Sequence, residues 1–374
     1  MWYISMLNTN KLEIMRSKKY SYYLQVILAL SLFMTSFTSC QFEELSEDCN
    51  KKGLIILNLG LDGMSTRAGN LFEGTGYEVD GVINKVRIFV FVGEALEINN
   101  LYTSGEDLFT NPFILEVSTG TKDIYVVANE SGTLETSLAS VSSKSGLLDL
   151  MADEISSPLS IPLLMTGSIE EIEVVENPTS EQNNPEITLT RAAAKISMQF
   201  NKAEGLTDNI KITKVSLLSN AYSSTLFPAA TEPTDPTFDT DTYWDLAMSF
   251  STPIDVTTST PEVADLKNIY LYENLGNSAG NKAVATQLEI EALYNNIETK
   301  YRVYINEDIA NPTVVTPGNP NSSVVDIKDH YYNIKRNYHY ELTGTISGLG
   351  EYTTISVKVK ILPWTVHEYA VPLE

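Results

Sequence analysis

Hydrophobic residues in this chain alternate with polar ones far more often than they recur at helical spacing. Ile55, Leu57, Leu59 and Leu61 alternate with Ile56, Asn58 and Gly60. Ile355, Val357, Val359 and Ile361 alternate with Ser356, Lys358 and Lys360, and Tyr301, Val303, Ile305 and Tyr338, Tyr340, Leu342 repeat the theme. A period of two puts alternate side chains on one face and predicts half-buried strands. Residues 86–92 (VRIFVFV) and 124–127 are largely apolar on both faces, which suits strands inside a sandwich. Turn signals such as Ser347-Gly-Leu-Gly350 and Thr316-Pro-Gly-Asn-Pro320 separate such runs. One helix is predicted, over residues 134–155, with Leu138, Val141, Leu147, Leu148 and Met151 roughly on one side. The expected fold is mainly all-β, built of β-sandwiches with one short helix in the N-terminal half.

The N-terminal region has a different pattern. Arg16, Lys18 and Lys19 precede the apolar run Val26-Ile-Leu-Ala-Leu-Ser-Leu-Phe-Met34, and Phe37-Thr-Ser-Cys40 follows. A basic patch, a short apolar stretch and small residues make a secretory signal. The run is too short to be a resident membrane span. A cysteine directly after the small residues has the form of a bacterial lipobox, so residues 1–39 are expected to be a signal peptide and Cys40 the lipidated N-terminus. An ordinary cleaved signal with a chance cysteine is the plainer alternative. Residues 1–14 have no signal character, which makes Met15 a candidate start.

About 330 residues remain beyond the signal, room for two domains. The polar, acidic stretch 170–186, with Pro178, Pro185 and Asn183-Asn184, has the composition of a linker or long loop. A boundary near residue 187 yields two sandwiches, 68–187 and 188–374. A second polar loop is expected over residues 228–241.

Composition narrows the function. The chain carries 25 Lys and Arg against 48 Asp and Glu, for a net charge of −23. This argues against nucleic acid and anionic membrane surfaces as partners. The only cysteines are Cys40 and Cys49, so no disulfide framework stabilises the fold. The histidines His330, His339 and His367 stand in no metal-ligand spacing. No nucleophile elbow or phosphate-cradling glycine loop is present. Asp235, Asp239, Asp241 and Asp245 lack the glycine and closing glutamate of a calcium loop and read as a solvated loop. Tyr222, Tyr243 and Trp244 are candidates for a ligand face, with core or loop packing as the simpler reading. No catalytic constellation, cofactor or metal is expected, and the protein is read as a non-enzyme.

The strand at residues 53–61 runs into Asp62-Gly-Met-Ser-Thr-Arg67-Ala68-Gly69-Asn70, a turn-forming stretch with Arg67 as its basic residue. Several motifs now add up to a resemblance. They are the lipobox at Cys40, Thr66-Arg67-Ala68, Val126-Val-Ala-Asn129, Ile161-Pro-Leu-Leu-Met-Thr-Gly167 and Leu189-Thr-Arg191-Ala-Ala-Ala-Lys195-Ile196. Ile269-Tyr-Leu-Tyr-Glu-Asn274, Lys335-Arg-Asn-Tyr-His-Tyr340 and Pro363-Trp364 complete the set. In this order they resemble the fimbrillins, subunits of type V pili that are exported as lipoproteins. The resemblance implies two tandem transthyretin-like β-sandwiches. It also implies cleavage after Arg67 by an arginine-specific protease, giving a new N-terminus at Ala68. Residues 40–67 would then leave as a lipidated prosegment. The departing strand would carry Ile55, Leu57, Leu59 and Leu61. A neighbour's C-terminal strand, here with Tyr369, Val371 and Leu373 on one face, would replace it.

The expected product is a structural subunit of a cell-surface fimbria that supports adhesion, carried first on the outer membrane. Other pilus subunits, the protease and host or bacterial surface ligands are its expected partners. A pilus anchor and a lipid-anchored, monomeric glycan-binding protein are the alternative readings.

Overall fold

A computed structural model describes residues 51–61, 79–179, 182–228, 243–275, 284–305, 313–314, 332–350 and 355–363. Most of these residues are strand. The N-terminal half contributes β1 (Lys52–Leu61), β2 (Lys85–Val92), β3 (Ala95–Thr103), β4 (Phe113–Ser118), β5 (Gly120–Ala128), β6 (Met165–Val174) and β7 (Glu186–Arg191). They join in one sheet in the order β3-β2-β5-β6-β7-β1-β4. β6 and β7 share only the pairs Met165↔Arg191 and Thr166↔Thr190. Inward residues from both ends of the sheet, Ile88 and Val90 on β2 and Leu115 and Val117 on β4, meet in a single core.

The C-terminal half is a second sandwich. One sheet holds β9 (Ile210–Ala221), β10 (Tyr243–Asp255), β12 (Gln287–Tyr294) and β13 (Ile297–Tyr304), in the order β10-β9-β12-β13. The other holds β8 (Ala193–Lys202), β11 (Ile269–Tyr272), β14 (Thr313–Val314), β15 (Tyr338–Ile346) and β16 (Ile355–Pro363), in the order β11-β8-β15-β16-β14. The alternation read at residues 355–361 lies on β16, with Val357, Val359 and Ile361 in the core between the two sheets.

Strands β2 and β5 are apolar on both faces because both faces are covered. Val86, Ile88 and Val90 point into the first sandwich. Phe89, Phe91, Tyr125 and Val127 point outward into a separate cluster with Leu134, Leu138 and Leu147. Leu226 and Phe227, from the segment after β9, complete it. Phe227 meets Tyr125 edge-on, with ring centroids 5.1 Å apart.

The structure corrects two expectations. The single helix over 134–155 is two short ones, α1 (Gly132–Ala139) and α2 (Lys144–Leu148). The serine-rich junction interrupts it: the Ser143 hydroxyl accepts from the Gly146 N–H at 3.1 Å and starts a new helix. The acidic stretch 170–186 is not a continuous loop, because its first five residues end β6 and its last begins β7. Residue 187, the expected boundary between the two sandwiches, falls within β7, and β8 begins at Ala193.

Gly167 occupies the tight approach of β6 to β7. A Cβ there would lie 2.6 Å from both Ile187 Cγ2 and the Thr188 carbonyl oxygen. The side chain can turn away but the backbone oxygen cannot. Gly167→Ala is therefore expected to cost about 1–3 kcal/mol, read as a lowered urea midpoint. An unchanged midpoint would show that the strands can separate freely.

Candidate functional site

The feature that sets this fold apart is where its first strand lies. β1 pairs antiparallel with β4, Ile55 opposite Leu115 and Leu57 opposite Phe113. On its other side it pairs parallel with β7, Leu59 opposite Ile187 and Leu61 opposite Leu189. Ile55, Leu57, Leu59 and Leu61 all face the core and are at most 1 % exposed. Leu54 and Ile56 point outward and are exposed. Without β1, the neighbouring strands β4 and β7 would each lose a partner.

Both walls of this slot bond to the β1 backbone beyond the regular ladders. The Ile56 and Asn58 N–H groups donate to the carbonyls of Asn183 and Pro185, at 2.8 and 3.0 Å. The Leu59 N–H donates to Asn111 Oδ1 at 2.9 Å, and Asn111 Nδ2 donates to the Leu59 carbonyl at 3.0 Å. Gly53 sits at the tight end, where a Cβ would lie 2.6 Å from Val174 Cγ1 and 2.9 Å from the Val175 carbonyl oxygen. Only the four strand residues of the expected site are thus placed. Cys40, Arg67, Ala68, Tyr369, Val371 and Leu373 lie outside the described residues, as do Cys49, His330 and His367.

Polar residues inside the sequence motifs have roles that sequence reading misses. Asp80, in the single turn Val79–Gly81 that leads to β2, is buried beside Arg191 at the end of β7 and Lys195 on β8. Lys195 Nζ donates to Asp80 Oδ2 at 3.0 Å, and the Tyr270 hydroxyl donates to the same oxygen at 3.3 Å. Arg191 Nε donates to the Asp80 backbone carbonyl at 3.1 Å, and its Nη2 lies 3.8 Å from Oδ1. Asp80, through its carboxylate and its backbone carbonyl, therefore ties the turn before β2 to Arg191 at the end of β7 and Lys195 on β8. Asn129 likewise bridges Asn84, Val82 and Leu163, each at 2.8 Å. Arg336 pairs with Glu273 and donates to the Thr225 carbonyl at 2.8 Å and the Leu226 carbonyl at 3.2 Å, holding the segment that caps the outer cluster.

The remaining candidates take ordinary structural places. Trp244 is buried in the second core, and its indole N–H donates to the Ala221 carbonyl at 3.1 Å. Tyr222 packs against the same core, and Tyr243 is half-buried at the start of β10. His339 lies on β15, 3.0 Å from the Ser197 hydroxyl. Asp245 accepts from the Ser219 N–H at 2.9 Å, while Asp235, Asp239 and Asp241 lie outside the described residues. Among the described residues no three His, Cys, Asp or Glu side chains are grouped to hold a metal ion.

The family model for the major fimbrial subunit protein (FimA) matches residues 56–223, from within β1 into the second sandwich. The chain is 33 % identical over 348 residues to Major fimbrium subunit FimC of Porphyromonas gingivalis, covering 91 % of this chain and 69 % of that one. Two solved structures share the fold. A candidate cell-adhesion protein of Parabacteroides distasonis superposes with a TM-score of 0.55 at 18 % identity, over 84 % of this chain and 99 % of its own. A fimbrilin of Porphyromonas gingivalis W83 does so with a TM-score of 0.52 at 16 % identity, over 85 % and 98 %. The chain belongs to the FimA family of fimbrial subunits, as its sequence motifs imply.

Proposed function

We propose that this subunit is made as an outer-membrane lipoprotein held through Cys40, cut after Arg67 by an arginine-specific protease, and polymerised head to tail into a surface fimbria that supports adhesion. The observation that carries this reading is the place of β1. It lies inside a sheet, buries four alternating aliphatic side chains, and is the last described element before the segment that contains Arg67. Losing it would open an apolar slot between two unpaired edges, and such edges recruit strands. The tail residues Tyr369, Val371 and Leu373 have the matching alternation. A head-to-tail contact of this kind does not close on itself and so extends a filament. In this reading residues 40–67 leave together and take both cysteines with them. The first sandwich accepts a strand, and the C-terminal end of the second supplies one to the next subunit. Other fimbrial subunits, the protease and surface ligands are the partners.

Limited trypsin treatment of the chain lacking its signal tests the scheme. The expected result is an early cut giving an N-terminus at Ala68, followed by a ladder of multimers on sizing. Resistance at Arg67, or a cut chain that stays monomeric and folded, would point instead to a subunit that keeps its first strand, as an anchor would.

A further inference from the structure

We propose that Asn111 sets the register of any strand seated between β7 and β4, by bonding the backbone of the residue in Leu59's place. The inference rests on the strand-exchange reading above and adds a specificity-determining residue to it. β4 begins at Phe113, which stands opposite Leu57 two residues after Asn111. Continued by two residues, the same antiparallel register would set Leu59 opposite Asn111. The Asn111 backbone forms no pair there, and its side chain takes over. Its Oδ1 receives the Leu59 N–H at 2.9 Å and its Nδ2 donates to the Leu59 carbonyl at 3.0 Å. Those are the two reciprocal bonds of a hydrogen-bonded antiparallel pair. A primary amide can make them because it carries the same donor and acceptor as a peptide group.

The opposite wall reads the other half of the backbone. Ile56 and Asn58 donate to the Asn183 and Pro185 carbonyls on the β7 side. Residues whose side chains point inward therefore turn their N–H and C=O toward β4 and Asn111. Residues that point outward turn theirs toward β7. Asn111 contacts backbone atoms alone in these bonds, so it tolerates any inward side chain the core accepts. It does demand an N–H at that position, which excludes proline.

It also selects strand direction. A strand running opposite to β1 with its apolar side chains inward would turn their backbone groups toward β7, and Asn111 would face outward-pointing residues. The occupant is thus an extended segment with alternating apolar residues, running in the direction of β1 and free of proline at the inward positions. Tyr369, Val371 and Leu373 meet that condition; Pro372 is out of phase with them and, having no N–H, would forgo one donor bond to the β7 side.

The test uses the full chain lacking its signal, cut once within residues 62–78, and a fluorescent synthetic peptide of residues 52–61. The parent peptide is expected to exchange with the resident strand. Replacing the Leu59 N–H with an ester oxygen should weaken its binding roughly tenfold, the order expected for losing a backbone bond in a partly dry slot. A Leu59→Pro peptide should fail to compete. Asn111→Ala should weaken the parent by roughly ten- to a hundredfold and abolish the ester penalty, because the two changes remove the same bond. The ester measurement on wild-type protein needs no variant to fold.

If the parent peptide binds but the ester binds equally well, or its penalty persists in Asn111→Ala, the Asn111 assignment is wrong and strand exchange stands. If the parent peptide never enters the slot, both fall.

Discussion

A chain that begins at Ala68 is expected not to persist as a folded monomer. Burying Ile55, Leu57, Leu59 and Leu61 contributes about 1.5–3 kcal/mol each, or about 6–12 kcal/mol together. The total stability of a domain is of the order of 5–15 kcal/mol. The area-based figure is an upper bound, because an unfolded chain already buries part of this surface. Even so, losing β1 removes a large share of what holds the first sandwich together, and its ladder partners on β4 and β7 are lost as well. The effect should be local. The core of the second sandwich takes no residue from β1, so amides in β15 and β16 should stay protected from hydrogen exchange while those in β4 and β7 lose protection. Raising the protein concentration, or adding a β1 peptide, should restore protection at β4 by filling the slot. Sedimentation velocity should show association that grows with concentration. A truncated chain that stays monomeric at every concentration, with native protection at Phe113–Ser118, would mean that β1 is dispensable and that the groove has no drive to recruit a strand.

The parts of this picture that were legible in the sequence are those written in local pattern. β16 declares itself by strict alternation and β1 by large aliphatic residues at every second position, since each has one face in a core. β2 and β5 are readable as doubly covered strands, although the second cover, with Leu226 and Phe227 from beyond β9, is not visible from their own residues. The break between the two helices is not legible, because Leu147 and Leu148 keep an apolar spacing across serines that end one helix and cap another. At the start of the acidic stretch, composition masks the strand that Ile172 and Val174 belong to. At the site, the four aliphatic residues of β1 could be found by period, but Asn111 could not. It stands outside any strand and acts through a side-chain amide 52 residues from its partner. The same holds for Asp80, whose partners Arg191 and Lys195 are 111 and 115 residues away. Arg191 and Lys195 stand together in a sequence motif that does not show what they bind.

The second large effect is expected at Asp80, which a cut at Arg67 leaves in place. Asp80→Ala would remove the carboxylate that Lys195 contacts at 3.0 Å and toward which Arg191 points. Two cations, both almost wholly buried, would remain side by side with that carboxylate gone. Removing one member of a buried ionic group costs about 3–5 kcal/mol, because the charge left behind stays desolvated. The loss should appear as a large drop in the urea midpoint. It should change little with added salt, since buried charges are poorly screened. Asp80→Asn keeps an acceptor for the Lys195 ammonium and should lose less. The exposed pair Lys52–Glu116 supplies the contrast: it also joins two strands, but in solvent, and Glu116→Gln should leave the midpoint almost unchanged. Asp80 binds both β7, the last strand of the first sandwich, and β8, the first of the second. Its loss should therefore also separate the unfolding of the two halves. With Trp364 replaced by phenylalanine, Trp244 fluorescence, which reports the second core, should then persist to higher urea than the loss of β5 amide protection. If Asp80→Ala moves the midpoint no further than Glu116→Gln does, or the two probes still coincide, the junction is held by the apolar contacts of Leu226 and Phe227 and not by this charge cluster.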